Sequence, residues 1–239
     1  MTIFGGTRRG SGVVPSARAG GRRWLPVTVG YTAALALVSA LWAGADPDIQ
    51  LRTIADTSTN LDNLAHHRFG TLLTSAFVIA DNGTALLAVP LLAGLLALSE
   101  RRFGSRATVS VFLTGHVGAT LLVAAGLWSG VRRGWFDADV CYAVDVGVSY
   151  GAMAVFGAVA AVVPAVWRAP WTVAWLAVAL EGVVRGGDFT NVGHLLSYLL
   201  GSVAGLVLAR NSPAARSPSW LDLQLLACGA FLASAFLPA

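Results

Sequence analysis

The chain has 239 residues, of which 56% are hydrophobic and only 12% are charged. A soluble domain carries about 25% charged residues, so this composition excludes an ordinary soluble globule as well as a disordered or disulfide-stapled chain. All 16 basic residues are arginines, and they stand in short clusters beside apolar segments rather than on one face that binds nucleic acid. The two cysteines form no metal or disulfide pattern. We therefore predict a membrane protein without a nucleic-acid partner, a metal or a soluble cofactor.

Apolar runs with at most one charge are long enough to cross a bilayer, which takes about 20 residues in a helix. They predict six membrane-spanning helices, over residues 24–45, 69–98, 107–131, 140–167, 169–184 and 189–209. A polar break at residues 81–83 interrupts the second run, which is either one long helix or a short interfacial helix followed by a spanning one. Residues 219–238 form a weaker last segment that spans the membrane or lies in its interface.

The distribution of arginine sets the expected orientation, because cytoplasmic loops carry an excess of Lys and Arg. The N-terminal 23 residues hold five arginines and no acid, and the loops after the second and sixth spans are also rich in arginine. Most of the acids follow the first, third and fifth spans. We predict a basic, flexible cytoplasmic tail over residues 1–23, a six-helix membrane domain over 24–210 and a C-terminal apolar segment over 211–239. The expected location is the plasma membrane.

Two polar residues lie at matching depth within predicted spans, where polar groups are costly and often functional. Ser149 stands in the string Gly-Val-Ser-Tyr-Gly of the fourth span, and His194 stands in the sixth. Both spans would start at the outer face, and at a rise of 1.5 Å per residue Ser149 lies about 13 Å and His194 about 9 Å below it. A serine hydroxyl needs a base to become a nucleophile, and imidazole has a suitable pKa. The pair therefore predicts acyl transfer, such as peptide-bond hydrolysis, with water reaching it from outside.

The intramembrane polar residues also allow other interpretations. Ser149 alone could bond a backbone carbonyl, and His194 could be a buried structural histidine. His116, near the middle of the third span, is expected to make a structural interhelical bond. Asp145, four residues before Ser149 and on the same helical face, either orients His194 as a third catalytic member or faces water. The helical face of His194 continues through small residues, which predicts close packing against another helix; these are Ser197, Gly201 and Gly205.

The chain resembles the rhomboid intramembrane serine proteases over roughly residues 27–210. That family has a six-helix core, with the serine of a G-x-S-G motif on the fourth helix and a histidine on the sixth. The matching residues here are Ser149, which follows Gly147, and His194. Further matches are the stretch Leu72-Leu73-Thr74-Ser75-Ala76-Phe77, the charged loop at 100–105, Gly201 and the long polar loop before residue 69. The resemblance implies an all-α membrane protein, a six-helix rhomboid-like transmembrane bundle with a possible seventh C-terminal segment.

Several positions depart from the family pattern. Tyr150 stands where the motif has glycine, and Met153 stands where typical members have an aromatic residue that stacks on the histidine. The H-x-x-x-N pair that supports the oxyanion on the second helix falls on Thr84 and Ala88. Thr84 keeps a hydroxyl donor, and Asn82 is near enough in sequence to contribute. The resemblance therefore implies oxyanion support from these two side chains and from the backbone N–H of the serine, in a divergent branch of the family.

The resemblance implies an intramembrane serine endopeptidase that cleaves transmembrane protein substrates near the outer face with a Ser149–His194 dyad. Its partners would be those substrates or client helices, together with the lipid bilayer. An alternative is a catalytically impaired rhomboid-like pseudoprotease that binds transmembrane helices, as the departures from the family pattern suggest. A third possibility is a small transporter or channel with a polar path through His116, Asp145, Glu181 and His194, although the sequence has no inverted repeat.

Overall fold

A computed structural model describes residues 24–211, 219–220, 222–224 and 226–227. The predicted tail over residues 1–23 and most of the predicted C-terminal segment lie outside these residues. Between residues 24 and 211 the helices are α1 Pro26–Ala43, α2 Pro47–Thr57, α3 Leu61–Ala65, α4 Thr71–Thr74, α5 Asn82–Phe103, α6 Ser105–Arg132, α7 Ser149–Val159, α8 Ala165–Gly186 and α9 Phe189–Asn211. Short 3-10 helices cover Ser75–Phe77, Ala138–Tyr142 and Ala160–Val162. The described residues contain no strand, so the predicted all-α fold class is confirmed.

Six of these helices form the bundle. Helices α1, α5, α6 and α9 are long and apolar enough to cross a membrane. Helix α7 with its 3-10 extension is apolar but shorter, and α8 has 22 residues but carries Arg168, Glu181 and Arg185. Helix α7 packs between α6 and α9, while α1 packs on α5 and α8 packs on α9. This arrangement confirms the predicted six-helix bundle.

The second predicted span is divided. Of the two alternatives that the sequence allowed, a short helix followed by a spanning helix is the one observed. Helix α4 and the 3-10 helix Ser75–Phe77 come first, and α5 starts after a short connection at residues 78–81. Asp81 caps α5, because its carboxylate accepts the backbone N–H of Thr84 at 2.5 Å. This bond lowers the pKa of Asp81 below its ordinary value. The polar break in the sequence is therefore a helix start, where a side chain satisfies an N–H group that has no partner within the helix.

The charged loop at residues 100–105, which the sequence predicts between the second and third spans, is wrong in extent. Residues 100–103 belong to α5, and α6 follows immediately after Gly104, whose φ of +87° makes the turn. Glu100 is buried, and its carboxylate accepts the backbone N–H of Thr28 at 2.8 Å in the first turn of α1. An acid at a helix N-terminus pairs with free N–H groups and with the helix dipole. Glu100 is therefore a cap for another helix and not a solvated loop residue.

The predicted fourth span over residues 140–167 is wrong at its start, since α7 begins only at Ser149. Residues 138–148 form a 3-10 turn followed by a non-helical loop. Ser149 therefore lies at a helix end and not about 13 Å along a helix, and it shares no helical face with Asp145. The physical reason is backbone hydrogen bonding to a distant segment: the N–H of Thr59 donates to the carbonyl of Asp145 at 2.9 Å.

Helices α7 and α9 approach so closely that only glycine fits between them. A side chain on Gly201 would collide with the backbone of Ala154, and one on Gly205 would collide with the backbone of Ala158. Small residues allow this close backbone contact in membrane helices. The predicted packing of the small face of α9 is therefore confirmed, with α7 as its partner. Because α9 carries His194, the contact also fixes the height of this residue relative to α7.

The described part of the C-terminal segment is anchored to the corner between α5 and α6 by the buried residue Asp222. Its carboxylate accepts the N–H of Ser219 at 2.8 Å and pairs with the Arg102 guanidinium at 2.6 Å. The N–H of Asp222 donates in return to Ser219 Oγ at 3.3 Å. This reciprocal pair is a capping box, which begins a helix. The segment therefore starts its helix where an arginine of α5 holds it.

We expect Asp222→Asn to lower the free energy of unfolding by about 3 kcal/mol, because removal of one charge from a buried ion pair leaves the other charge uncompensated. Thermal unfolding in detergent micelles measures the change. The matched control is Asp139→Asn, which removes an exposed carboxylate. Equal stability of the two variants would show that the pair with Arg102 contributes nothing.

Candidate active site

Ser149 is the first residue of α7 and is half-buried. The turn before it depends on Gly147, whose φ of +132° is a conformation that L side chains rarely adopt. The N–H of Gly147 donates to the carbonyl of Ser75 at 3.0 Å, and the N–H of Asp145 donates to Ser58 Oγ at 2.9 Å. Two distant segments therefore hold the turn and fix the direction in which α7 presents Ser149.

His194 is the sixth residue of α9 and is half-buried. Its ring meets the ring of Tyr150 edge to face, with the centroids 5.5 Å apart and the planes at 83°. Gly193 makes room for this contact, because a side chain there would collide with the Tyr150 ring. One turn further along α9, the hydroxyl of Ser197 donates to the carbonyl of Tyr150. These contacts hold His194 beside the first turn of α7.

No hydrogen bond joins Ser149 and His194 in the described structure, but one residue links their surroundings. Tyr150, the residue after Ser149, contacts the imidazole ring, which brings the two candidate residues to the same end of the bundle. Within the described part of the chain, Nε2 of His194 is buried and has no hydrogen-bond partner. Catalytic hydrogen bonds are often long in the absence of substrate and tighten when it binds. The arrangement therefore leaves Nε2 available to a hydroxyl.

Tyr150 has a role that the sequence did not reveal. The family pattern places the aromatic partner of the histidine at Met153, but that side chain packs partly buried against the hydrophobic core. Tyr150 supplies the aromatic contact instead, with its hydroxyl buried beside Thr190 and not in a well-aligned hydrogen bond. The sequence signal for this contact is Gly193, since a large ring next to His194 needs a neighbour without a side chain.

Asn82 and Thr84, the candidate oxyanion donors, are exposed residues in the first turn of α5. The side chain of Thr84 lies beside the Asp81 carboxylate that caps this helix. Ala88, one turn further on, is buried. The contacts of Thr84 are therefore those of a helix cap.

Asp145 is bound to the polar loop before the second span. Its carboxylate accepts the hydroxyl of Thr59 at 3.2 Å, and its backbone carbonyl accepts the same hydroxyl at 3.0 Å. Burial raises the pKa of Asp145 to about 6, against the opposing effect of the Thr59 bond. This placement matches neither predicted role of Asp145. The residue does not orient His194, because its partner is Thr59, and it does not simply face water, because it is half-buried.

His116 makes the predicted structural bond. Its Nε2 lies 3.1 Å from Ser75 Oγ, and both side chains are buried. The partner stands in a 3-10 helix and not in a spanning helix, because residues 75–77 fold back into the bundle before α5 begins. Among the described residues, no group of three or more His, Cys, Asp and Glu side chains is placed to hold a metal ion.

The apolar bundle, with a serine and a histidine on two touching helices, defines a polytopic helical membrane protein with a candidate Ser–His site. A family model described as rhomboid-like protein matches residues 20–215, which include all six helices of the bundle. The chain therefore belongs to the rhomboid-like protein family and is a multi-pass membrane protein. No curated protein and no solved structure matches the chain.

Proposed function

We propose that the chain is an intramembrane serine endopeptidase in which Ser149 is the nucleophile and His194 is the general base. The observation that carries this proposal is the buried Nε2 of His194, which has no hydrogen-bond partner in the described part of the chain and lies near the helix end that carries Ser149. A buried polar atom without a partner costs about 1–3 kcal/mol. A general base needs a free nitrogen, and Nε2 of His194 is free to accept the proton of a serine hydroxyl.

The proposed reaction follows the chemistry of serine hydrolases. Ser149 Oγ attacks the carbonyl carbon of a substrate peptide bond while His194 accepts the hydroxyl proton. The imidazolium then protonates the leaving amine nitrogen, which breaks the C–N bond and leaves an acyl-enzyme ester. Water attacks this ester with His194 again as base, so that the acid product leaves and the serine hydroxyl is restored. The scheme uses no metal and no soluble cofactor.

The start of α7 offers oxyanion support. The first N–H groups of a helix have no acceptor within it, and the first hydrogen bond of α7 runs from the N–H of Ala152 to the carbonyl of Val148 at 2.9 Å. The earlier N–H groups, including that of Ser149, are available to a negative oxygen, and the helix dipole adds partial positive charge. We propose Asn82 and Thr84 as additional donors, with Gly147 and Tyr150 shaping the site on either side of the serine. Loss of one oxyanion donor typically lowers kcat by about 10²–10³, so we expect a slow enzyme.

The proposed orientation in the membrane follows from the distribution of charge. We propose that the arginine-rich tail over residues 1–23 lies in the cytoplasm and that the domain over 24–210 spans the plasma membrane. The segment over 211–239 then either forms a seventh transmembrane helix or lies in the membrane interface. Helices α7 and α9 then both begin on the outer side, where water has access to Ser149. Transmembrane proteins that unwind near this face are the proposed substrates, and the lipid bilayer is the remaining partner.

A rhomboid-like pseudoprotease is the second candidate. One observation favours it: the ring of Tyr150, which stands where the family motif has glycine, lies against the His194 ring. In this case the same helix pair would bind transmembrane client helices without cleaving them.

Fluorophosphonate labelling and peptide cleavage together test the proposal. The chain reconstituted in lipid vesicles is expected to take up the probe and to cleave a reporter transmembrane substrate. Ser149→Ala is expected to abolish both, because the attacking oxygen is gone. The matched control is Ser110→Ala, an exposed serine of α6, which is expected to change neither. Labelling of Ser149→Ala at the original rate would overturn the assignment, whereas binding of the reporter helix without labelling or cleavage would favour the pseudoprotease.

A further inference from the structure

A second serine–histidine pair lies in the bundle and is fully formed. Ser75 Oγ and His116 Nε2 are 3.1 Å apart, and the exposed fractions of the two residues are 0% and 2%. No solvent or substrate reaches such a pair, so it has no direct chemical role. Nδ1 of His116 is also buried, and the imidazole lies beside the backbone of Leu72 without a well-aligned hydrogen bond from this nitrogen.

Ser75 connects this pair to the turn before Ser149. The carbonyl of Ser75 accepts the N–H of Gly147 at 3.0 Å. Gly147 has a φ of +132°, and Ser149 follows two residues later as the first residue of α7. A shift of the Ser75 carbonyl would therefore move the turn and the serine together.

An aromatic frame holds the 3-10 helix that contains Ser75. The hydroxyl of Tyr31 in α1 donates to the carbonyl of Ala76 at 2.6 Å, and its ring meets the ring of Phe77 at 5.1 Å. Phe112 of α6 contacts the ring of Tyr31 at 5.0 Å and stacks on the ring of His116 at 6.0 Å. Within this frame, the Ser75–His116 bond is a polar contact that joins the 3-10 helix to α6.

We propose that His116 and Ser75 are positioning residues for the nucleophile. They act through the backbone carbonyl of Ser75 and through the turn at Gly147 that this carbonyl holds. Their bond holds the Ser75 carbonyl where it accepts the Gly147 N–H, which aims Ser149 towards His194. This inference rests on the proposed function, because a positioning role has meaning only if Ser149 reacts. It adds two residues that lie outside the Ser149–His194 dyad and its oxyanion donors.

Three variants test the role of the pair. Ser75→Ala removes the hydroxyl but keeps the carbonyl, His116→Phe keeps a ring for stacking, and the double variant combines them. Each is expected to lower kcat for the reporter substrate by about 10²-fold with KM unchanged, because small displacements of a reacting group have effects of that size. The double variant is expected to lose no more than either single one, since all three remove the same bond. The rate of fluorophosphonate labelling should fall in parallel, and His116→Gln, which retains a donor, should recover part of the rate.

The matched control is Thr120→Val, which removes another buried polar group from α6 one turn further on and is expected to leave kcat unchanged. Unchanged kcat and labelling in Ser75→Ala and His116→Phe, in a chain whose unaltered form is labelled, would overturn the positioning role. A fall in thermal stability with normal kcat for the folded fraction would also overturn it. If the unaltered chain is neither labelled nor active, the proposed function has failed and the inference fails with it.

Discussion

Ser149→Ala, His194→Ala and the double variant are expected to lower kcat to the same residual level, about 10³-fold or more below that of the unaltered chain. The reason is that nucleophile and base act as one unit: without the base the hydroxyl is a poor nucleophile, and without the hydroxyl the base has no proton to accept. The placement of the two residues supports this coupling. The ring of Tyr150, the residue after Ser149, contacts the His194 ring, and the backbone carbonyl of Tyr150 accepts a hydrogen bond from the hydroxyl of Ser197.

Initial rates of reporter cleavage in vesicles measure this effect, with folding checked by helical content. Two control variants match the chemistry of the changes. Ser202→Ala removes a hydroxyl that donates to the Tyr198 carbonyl within α9, and His66→Ala removes an exposed histidine of the polar loop. Both are expected to keep the original rate. Losses that multiply in the double variant would show that Ser149 and His194 act independently and would contradict the dyad.

Gly201→Leu is expected to lower the free energy of unfolding by about 3 kcal/mol or more, at the upper end of the effect of overpacking. A side chain at Gly201 meets the backbone of Ala154, which cannot move aside as the end of a flexible side chain can. Helix α9 would have to separate from α7, and His194 would leave the neighbourhood of Ser149. We therefore expect cleavage to be lost together with stability.

Thermal unfolding in detergent micelles, read by circular dichroism, measures this loss. The matched control is Gly126→Leu at an exposed position of α6, where no heavy atom lies within 4 Å of the added Cβ. This control variant is expected to unfold at the original temperature and to remain active. A Gly201→Leu variant as stable as Gly126→Leu would show that α7 and α9 are not in close backbone contact.

Hydropathy alone determined the long helices. The uncharged runs over residues 24–45, 107–131 and 189–209 correspond within about two residues per end to α1, α6 and α9. The agreement has a simple cause, because a segment that crosses a bilayer must be apolar for about 20 residues and must satisfy its backbone within the helix. The same argument made Ser149 and His194 visible, since few polar residues remained once the loop charges were set aside.

Only the tertiary structure decided where α7 begins and what surrounds Ser149. Residues 140–148 are as apolar as a spanning helix, and hydropathy does not distinguish a helix from a loop that is buried against protein. Their backbone groups are satisfied by residues far away in sequence, as in the bond between Thr59 and Asp145, which are 86 residues apart. The bond between Ser75 and His116 and the contact of Tyr150 with His194 arise in the same way. A single sequence shows which groups need partners, whereas the packing of the helices determines which partners they find.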